Sequence, residues 1–245
     1  MKYLNFKYIL LFIVVYVFAL AAMFPVKWAV PTLEPMLSSA GVSLGQVEGS
    51  IWQGKAVVSH KQMGDVQVKW QSKPWHLFRL ALPIDVTAVG QYFDFKALVA
   101  PSVFGLTVSD VTGYVDEQAL TPWLQPYRVS LQGRLQVDQL SVESSWRYKL
   151  GDASGSLSYS GGPISVPVGR SVQQYQVPTM VGQLSSNEQQ WQMLITDTNK
   201  QEFIAMSLER TGMGTLSVKR ALAEVMDIPL PPGGRSLLDV SQQVF

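Results

Sequence analysis

His60 and His76 are the only imidazoles in the chain, and cysteine is absent. A hydrolase of the nucleophile, base and orienter type would have to be built on one of these two histidines. Neither sits in a recognisable motif, and no Gly-x-Ser-x-Gly, His-Glu-x-x-His, Gly-x-x-x-x-Gly-Lys-Ser/Thr or Gly-x-Gly-x-x-Gly pattern occurs. Asp85, Asp94, Asp110, Asp116 and Glu117 have the chemical type of a paired-carboxylate glycosidase site. No spacing pairs them, however, and several fall at the polar phase of a strand or at a turn. Without an Asp-x-Asp-x-Asp-Gly run there is no calcium loop, and without cysteine there are no thiolate metal sites and no disulfides. The reading is a non-enzymatic chain with no catalytic residue, no metal and no cofactor.

One carboxylate stands apart by its setting. Glu48 lies within Gly45-Gln46-Val47-Glu48-Gly49-Ser50-Ile51-Trp52-Gln53-Gly54, where three glycines permit tight turns or close backbone approach and Val47, Ile51 and Trp52 supply apolar contacts. Glu48 reads as a turn or cap acceptor, with a binding carboxylate as the alternative. Two further tryptophans follow, Trp70 and Trp75, the second directly after Pro74, so that a strand ends in a rigid turn that folds an indole back onto its neighbours. Core packing is one reading of this cluster. An aromatic-lined groove for an extended peptide, an acyl chain or a partner sheet edge is the other.

These residues must be carried by a scaffold, and the composition limits what it is. Of the 245 residues 47% are apolar and 15% charged, against about 25% charged in an ordinary soluble protein. The formal net charge is +1. The nearest approaches to a basic cluster, Lys69/Lys73/Arg79 and Lys219/Arg220, are too sparse to neutralise a row of phosphates, which excludes nucleic acid as a partner.

No residue from Tyr8 to Val26 is charged. As a helix this stretch would span roughly 28 Å at ~1.5 Å per residue, the thickness of a bilayer core. Lys2 and Lys7 precede it and only Lys27 follows closely, so the positive-inside rule places the N-terminus in the cytoplasm and exports the rest. Lys7, Lys27 and Trp28 are the expected membrane-interface residues. Ala19-Leu20-Ala21 also fits the cleavage site of a signal peptide. The apolar run continues through Ala22, Met23 and Phe24, and Trp28 stands where an interfacial aromatic would, which favours an uncleaved anchor.

Pro31 to Ala40 fits a short helix stopped by Gly41. Beyond it the period changes to two. Val66, Val68 and Trp70 alternate with polar residues, as do Ile84, Val86 and Ala88, and Leu131, Leu135 and Val137 keep one parity around Gly133. More strands are expected at 93–99, 106–111, 147–150, 156–159, 191–195, 203–208 and 215–218. Short helices are expected from Asp116, broken by Pro122, and from Lys219 to Met226. A glycine, a variable residue and an apolar residue recur at Gly113, Gly133, Gly155 and Gly182, about one hairpin per unit, as in an antiparallel meander. The expected fold is therefore mainly β: a single N-terminal transmembrane helix followed by a curved, mostly antiparallel sheet with a few short helices. The expected divisions are a cytoplasmic tail (1–7), the transmembrane helix (8–26), the exported β-rich domain (27–229), and a Pro/Gly linker with a terminal tail (230–245). That tail is read as disordered, or as a docking peptide in which Leu237, Leu238 and Val240 add to a sheet edge.

With Val47-Glu48-Gly49-Ser50-Ile51-Trp52-x-Gly54, then Trp70-x-x-x-Pro74-Trp75-x-Leu77, and later Ser158-Tyr159-x-Gly161-Gly162-Pro163, the chain resembles the type II secretion system protein N family. The resemblance covers nearly the whole length, although Tyr159 replaces an expected tryptophan. It implies a bacterial inner-membrane accessory component of the machine that exports folded proteins from the periplasm across the outer membrane, without catalysis. Its partners would be other inner-membrane and periplasmic secretion components, and Gly45, Val47, Glu48, Gly49, Trp52, Gly54, Trp70, Pro74 and Trp75 would be structural or partner-binding. The alternative is an envelope lipid-binding or lipid-transfer protein whose curved sheet holds an apolar trough.

Overall fold

A computed structural model describes residues 25–28, 30–39, 41–72, 82–146, 150–168, 171–228 and 236–244. The period-two alternation becomes sixteen strands. The first six are β1 (Val42–Gly49), β2 (Gln53–His60), β3 (Gly64–Ser72), β4 (Ile84–Val89), β5 (Phe93–Pro101) and β6 (Gly105–Val115). The middle of the chain gives β7 (Ser130–Leu131), β8 (Leu135–Ser145), β9 (Leu150–Tyr159), β10 (Gly162–Val168) and β11 (Ser171–Val177). The last five are β12 (Met180–Ser186), β13 (Gln190–Thr196), β14 (Glu202–Glu209), β15 (Met213–Lys219) and β16 (Ser236–Gln243).

Thirteen of these form one antiparallel sheet in the order β1-β2-β3-β4-β5-β6-β8-β9-β12-β13-β14-β15-β16, a meander interrupted only where β7, β10 and β11 leave to make a small sheet of their own. Half of the strand pairs in the large sheet carry a register shift. Such bulges bend the strand and raise its local twist.

Residues paired across an antiparallel ladder point to the same face, so the register shows what each face presents. From β1 to β5 one row runs Val47, Ala56, Val68, Ala88, Phe95. It continues through Gly113, Val137, Leu157 and Gly182 in β6, β8, β9 and β12. It ends with Ile195, Ile204, Val218 and Leu238. No polar side chain interrupts this row from the first strand to the last. The opposite face begins with Glu48, Lys55, Lys69, Thr87, Lys96 and Thr112, one residue from each of β1 to β6. From β1 to β6 the sheet is amphipathic, while farther along the opposite face mixes polar residues with Leu194 and Ala205.

The glycine repeat has a packing cause. Gly54 faces Trp70, Gly113 faces Phe95, and Gly182 faces Leu157. In each case the larger partner occupies the space that a Cβ would need, with Phe95 Cδ1 2.6 Å and Leu157 Cδ1 2.8 Å from that point at Gly113 and Gly182. Gly155 likewise faces Leu140 on one side and Leu184 on the other.

Among the described residues three α-helices accompany the sheet: α1 (Val30–Ser39), α2 (Glu117–Leu124) and α3 (Arg220–Val225). They pack against β1, β7, and β14 with β15, respectively. Phe203 is fully buried, and Ala223 of α3 is nearly so. Helix α2 passes through Pro122, where the chain was expected to break, and gives way to a 3-10 turn, Gln125–Tyr127, that ends at Arg128 with φ 55. The proline removes one hydrogen bond from a helix that β7 supports from outside.

Among the described residues no helix is long and apolar enough to cross a membrane. The expected span 8–26 lies outside them except for Pro25 and Val26, and the cytoplasmic tail 1–7 lies outside them entirely. Two further readings differ from the structure. Leu131 and Leu135 do not share a strand but belong to different sheets, separated at Gly133, where φ is 120. Residues Ser236–Gln243 are not a disordered tail but the outermost strand beside β15, in keeping with the alternative in which Leu237, Leu238 and Val240 add to a sheet edge; alternating Leu238 and Val240 complete the apolar rows, which a disordered tail would leave exposed on β15.

Candidate functional site

The turn between β1 and β2 is built by Ser50. Its hydroxyl accepts the backbone N–H groups of Trp52 (3.2 Å) and Gln53 (3.3 Å), and its own N–H donates to the Gln53 carbonyl at 2.8 Å. Gly49 enters the turn with φ 103, and a Cβ there would collide with the Gln53 carbonyl and lie 2.6 Å from Gly54 Cα. Only glycine fits such a position without strain.

The same turn is fastened to β3 twice. The Trp70 indole Nε1 donates to the Ser50 carbonyl at 3.0 Å, and the Ser72 N–H donates to the Trp52 carbonyl. Ser72 is itself buried, and its hydroxyl reaches the Pro83 carbonyl at 2.8 Å ahead of β4. Trp52 is 6% exposed. Gly49, Trp52, Gly54 and Trp70 therefore form one hydrogen-bonded and packed unit joining the first three strands. Val47 belongs to the apolar row, and Gly45 approaches β2, with the Val57 carbonyl 3.1 Å from where its Cβ would stand. The polar bridge from Pro25 to Ser50 ties the segment before α1 to this turn.

Glu48 points to the opposite face, where its carboxylate meets Lys55 Nζ at 3.0 Å. With Lys69, Gln71, Asp85 and Thr87 the pair borders an open hollow of about 600 Å³. Lys55 lies directly between Glu48 and Lys69 in register, so one carboxylate partly offsets two facing ammonium groups. Lys27 is exposed in the 3-10 turn Val26–Trp28. Lys7, Pro74, Trp75, His76 and the Trp28 side chain lie outside the described residues.

Two of the carboxylates considered for catalysis, Asp116 and Glu117, bond to the scaffold. Asp116 binds Arg134 Nε at 2.6 Å, and the Arg134 guanidinium lies 4.6 Å from the centre of the Tyr114 ring. Glu117 accepts the Gly133 N–H at 2.9 Å, while the neighbouring Gln132 carbonyl accepts the Tyr159 hydroxyl. Burial, and behind it the Glu117 charge, push the Tyr159 phenol above its ordinary 10.0, which keeps it a donor. Asp85 faces Gln71, and Asp94 faces Tyr114 in the ladder. Asp110 stands exposed at φ 52 beside a bulge. His60 stacks on Trp123 with ring centres 6.1 Å apart, and its Nδ1 accepts the Gln62 N–H. Among the described residues no group of three His, Asp or Glu could hold a metal ion.

A second hollow, of about 450 Å³, lies at the other end of the sheet. It is lined by Leu184, Met193, Met206, Leu216 and Val240, successive members of one register row from β12 to β16, with Trp191 beside them. The sequence offered a signal for it in the shared parity of the strands at 191–195, 203–208 and 215–218. Which strands stand side by side was needed to join those residues into a surface.

Comparison with curated proteins and with solved structures found no match. Comparison with protein families matched residues 40–236 to the family described as type II secretion system (T2SS), protein N. The matched region runs from just before β1 to the first residue of β16, and so contains the Gly45–Gly54 turn, Trp70 and the whole of the large sheet up to its last strand. The chain belongs to the type II secretion system protein N family.

Proposed function

We propose that this protein is a non-enzymatic accessory component of the type II secretion system. In this reading Tyr8 to Val26 anchors it in the inner membrane, and the β-rich part 27–229 is a periplasmic docking domain for other secretion components during export of folded proteins. Family membership supports a place in type II secretion and contact with its other components. The docking mode rests on one observation: among the described residues the large sheet is open, and β1 and β16 each pair on one side only. An unpaired edge offers a row of backbone donors and acceptors to an added strand. On β16 Leu237, Leu238 and Val240 are 41 to 48% exposed. Confinement of the domain to the membrane surface would raise its effective concentration near other anchored components.

The experiment is photocrosslinking in secreting cells from a reactive amino acid placed at Ser241 on β16 and at Gln46 on β1. Adducts between these edges and another inner-membrane or periplasmic secretion component are the expected result. Adducts confined to the protein's own strands would overturn the docking mode while leaving family membership intact.

A further inference from the structure

The apolar row that crosses all thirteen strands is longer than any core requirement explains. At about 4.8 Å between strands it extends roughly 58 Å, perpendicular to the strand direction. Beside it, from β6 to β16, runs a second row: Val111, Leu140, Gly155 and Leu184, and then the Met193, Met206, Leu216 and Val240 that line the 450 Å³ hollow. The two rows make a strip without a single side-chain hydrogen-bond donor or acceptor. At its far end Met206, Leu238 and Val240 are 38 to 48% exposed.

We infer that this strip is a binding site for the acyl chains of individual phospholipid molecules, with the hollow around Met193 and Met206 as its best-formed seat. Two observations select this occupant. A polypeptide partner brings polar backbone, and protein interfaces carry about one hydrogen bond per 100–200 Å². The two register rows have no side chain to supply one, and the Gln192, Ser207, Thr215 and Gln242 that also border the hollow leave its surface mostly apolar, whereas an acyl chain needs none. The strip also begins where the uncharged run ends: Pro25, the last residue but one of that run, bridges to Ser50 in the turn between the first two strands. On the anchored reading proposed above, chains drawn from the membrane would meet Val47, Ala56 and Val68 first and could pass from row member to row member without crossing a polar side chain. The hollow falls within the range of about 300–1,000 Å³ typical of ligand pockets. Paired methionines at its centre suit a flexible ligand, because the thioether side chain adapts to irregular contours. This site rests on the membrane anchorage proposed above but not on the docking role of the sheet edges.

The test uses the full chain, extracted from its native membrane in detergent and then irradiated with a photoreactive amino acid at Met206 on the strip or at Gln183 on the opposite face. Phospholipid adducts identified by mass are expected at position 206 at least tenfold above position 183. They should fall at least tenfold when Leu216→Glu places a charge in the strip, with circular dichroism of the variant unchanged. Should that variant lose its fold, Met193→Gln serves the same purpose with less perturbation. Lipid adducts that form only before extraction would mean that the sheet rests on the bilayer, and polypeptide adducts at position 206 would mean that a protein covers the strip. Either result overturns the proposal, and neither bears on adducts formed from the edges of β1 and β16.

Discussion

The Trp70 indole fills the space above Gly54 that any larger residue would claim: a Cβ there would collide with its Cζ2 atom and with the Glu48 carbonyl. The glycine and the tryptophan face each other across β2 and β3, and the indole N–H closes the arrangement on Ser50. Gly54→Ala is therefore expected to destabilise the full chain by about 1–3 kcal/mol through overpacking. Urea unfolding followed by tryptophan fluorescence measures it, and an unchanged midpoint would show that the indole moves aside freely.

Trp52 provides the complementary case, in which a large group is removed. It is buried in the same turn, and Trp52→Ala should cost about 3–5 kcal/mol as a cavity replaces the indole. The same unfolding measurement applies, and a loss below about 1 kcal/mol would argue that Trp52 serves a binding surface rather than the packing of the turn.

Gly113 and Gly182 occupy the same apolar row but are guarded by different atoms. A Cβ at Gly113 would strike the Asp94 carbonyl, part of a rigid ladder, whereas one at Gly182 first meets the end of the Leu157 side chain at 2.8 Å. Gly113→Ala is expected to cost about 3 kcal/mol and Gly182→Ala about 1 kcal/mol. Thermal unfolding of the two variants side by side tests the order, and the reverse order would refute the register assigned to β5 and β6.

The Glu48–Lys55 pair is exposed on both sides, 57% for the lysine and 54% for the glutamate. Surface pairs of this kind contribute little, so Glu48→Gln should change stability by less than about 1 kcal/mol. A secretion assay on this variant then reads binding alone: reduced export at unchanged stability identifies Glu48 as a contact for another component, and normal export returns it to the solvated face.

Tyr159 gives a pH signature. Because its phenol holds its proton more tightly in the folded chain than the ordinary 10.0, the stability it contributes is complete below that pH and lost as pH rises through the higher folded value. Tyr159→Phe removes the bond to the Gln132 carbonyl and should cost about 1 kcal/mol at neutral pH. The gap between parent and variant should narrow above pH 10.0, as denaturant midpoints collected across that range would reveal.

Much of the sheet was written in its alternation. Val66, Val68 and Trp70, and Ile84, Val86 and Ala88, lie in β3 and β4 with the parity expected of them; of the recurrent glycines, Gly155 and Gly182 lie in the neighbouring β9 and β12, Gly113 in β6, and Gly133 outside the strands. The β10–β11 hairpin left no such mark, because Ser171 to Gln174 face solvent on both sides and nothing enforces a period of two. The split at Gly133 was hidden for a related reason: Leu131 and Leu135 have matching parity, and the bonds that hold the intervening loop apart, among them the Glu117 carboxylate on the Gly133 N–H, the Tyr159 hydroxyl on the Gln132 carbonyl and the Gln132 N–H on the Pro163 carbonyl, are brought from distant positions. Of the opening segment, the glycines and Trp52 were readable as a turn. Its attachment to Trp70 was not, since the bond joins residues twenty positions apart.

The strand order carries a consequence for how the chain is assembled. Apart from two detours, every strand of the large sheet lies beside its neighbour in sequence. Stability in such an array accumulates from one neighbour to the next, as in a solenoid, and little entropy is spent on closing long loops. A polypeptide threaded N-terminus first can lay each new strand against one already in place, starting from the turn that Ser50 and Trp70 hold shut. The detour at β7 is the point where a strand must wait for a partner that has not yet arrived, and the detour at β10–β11 supplies that partner.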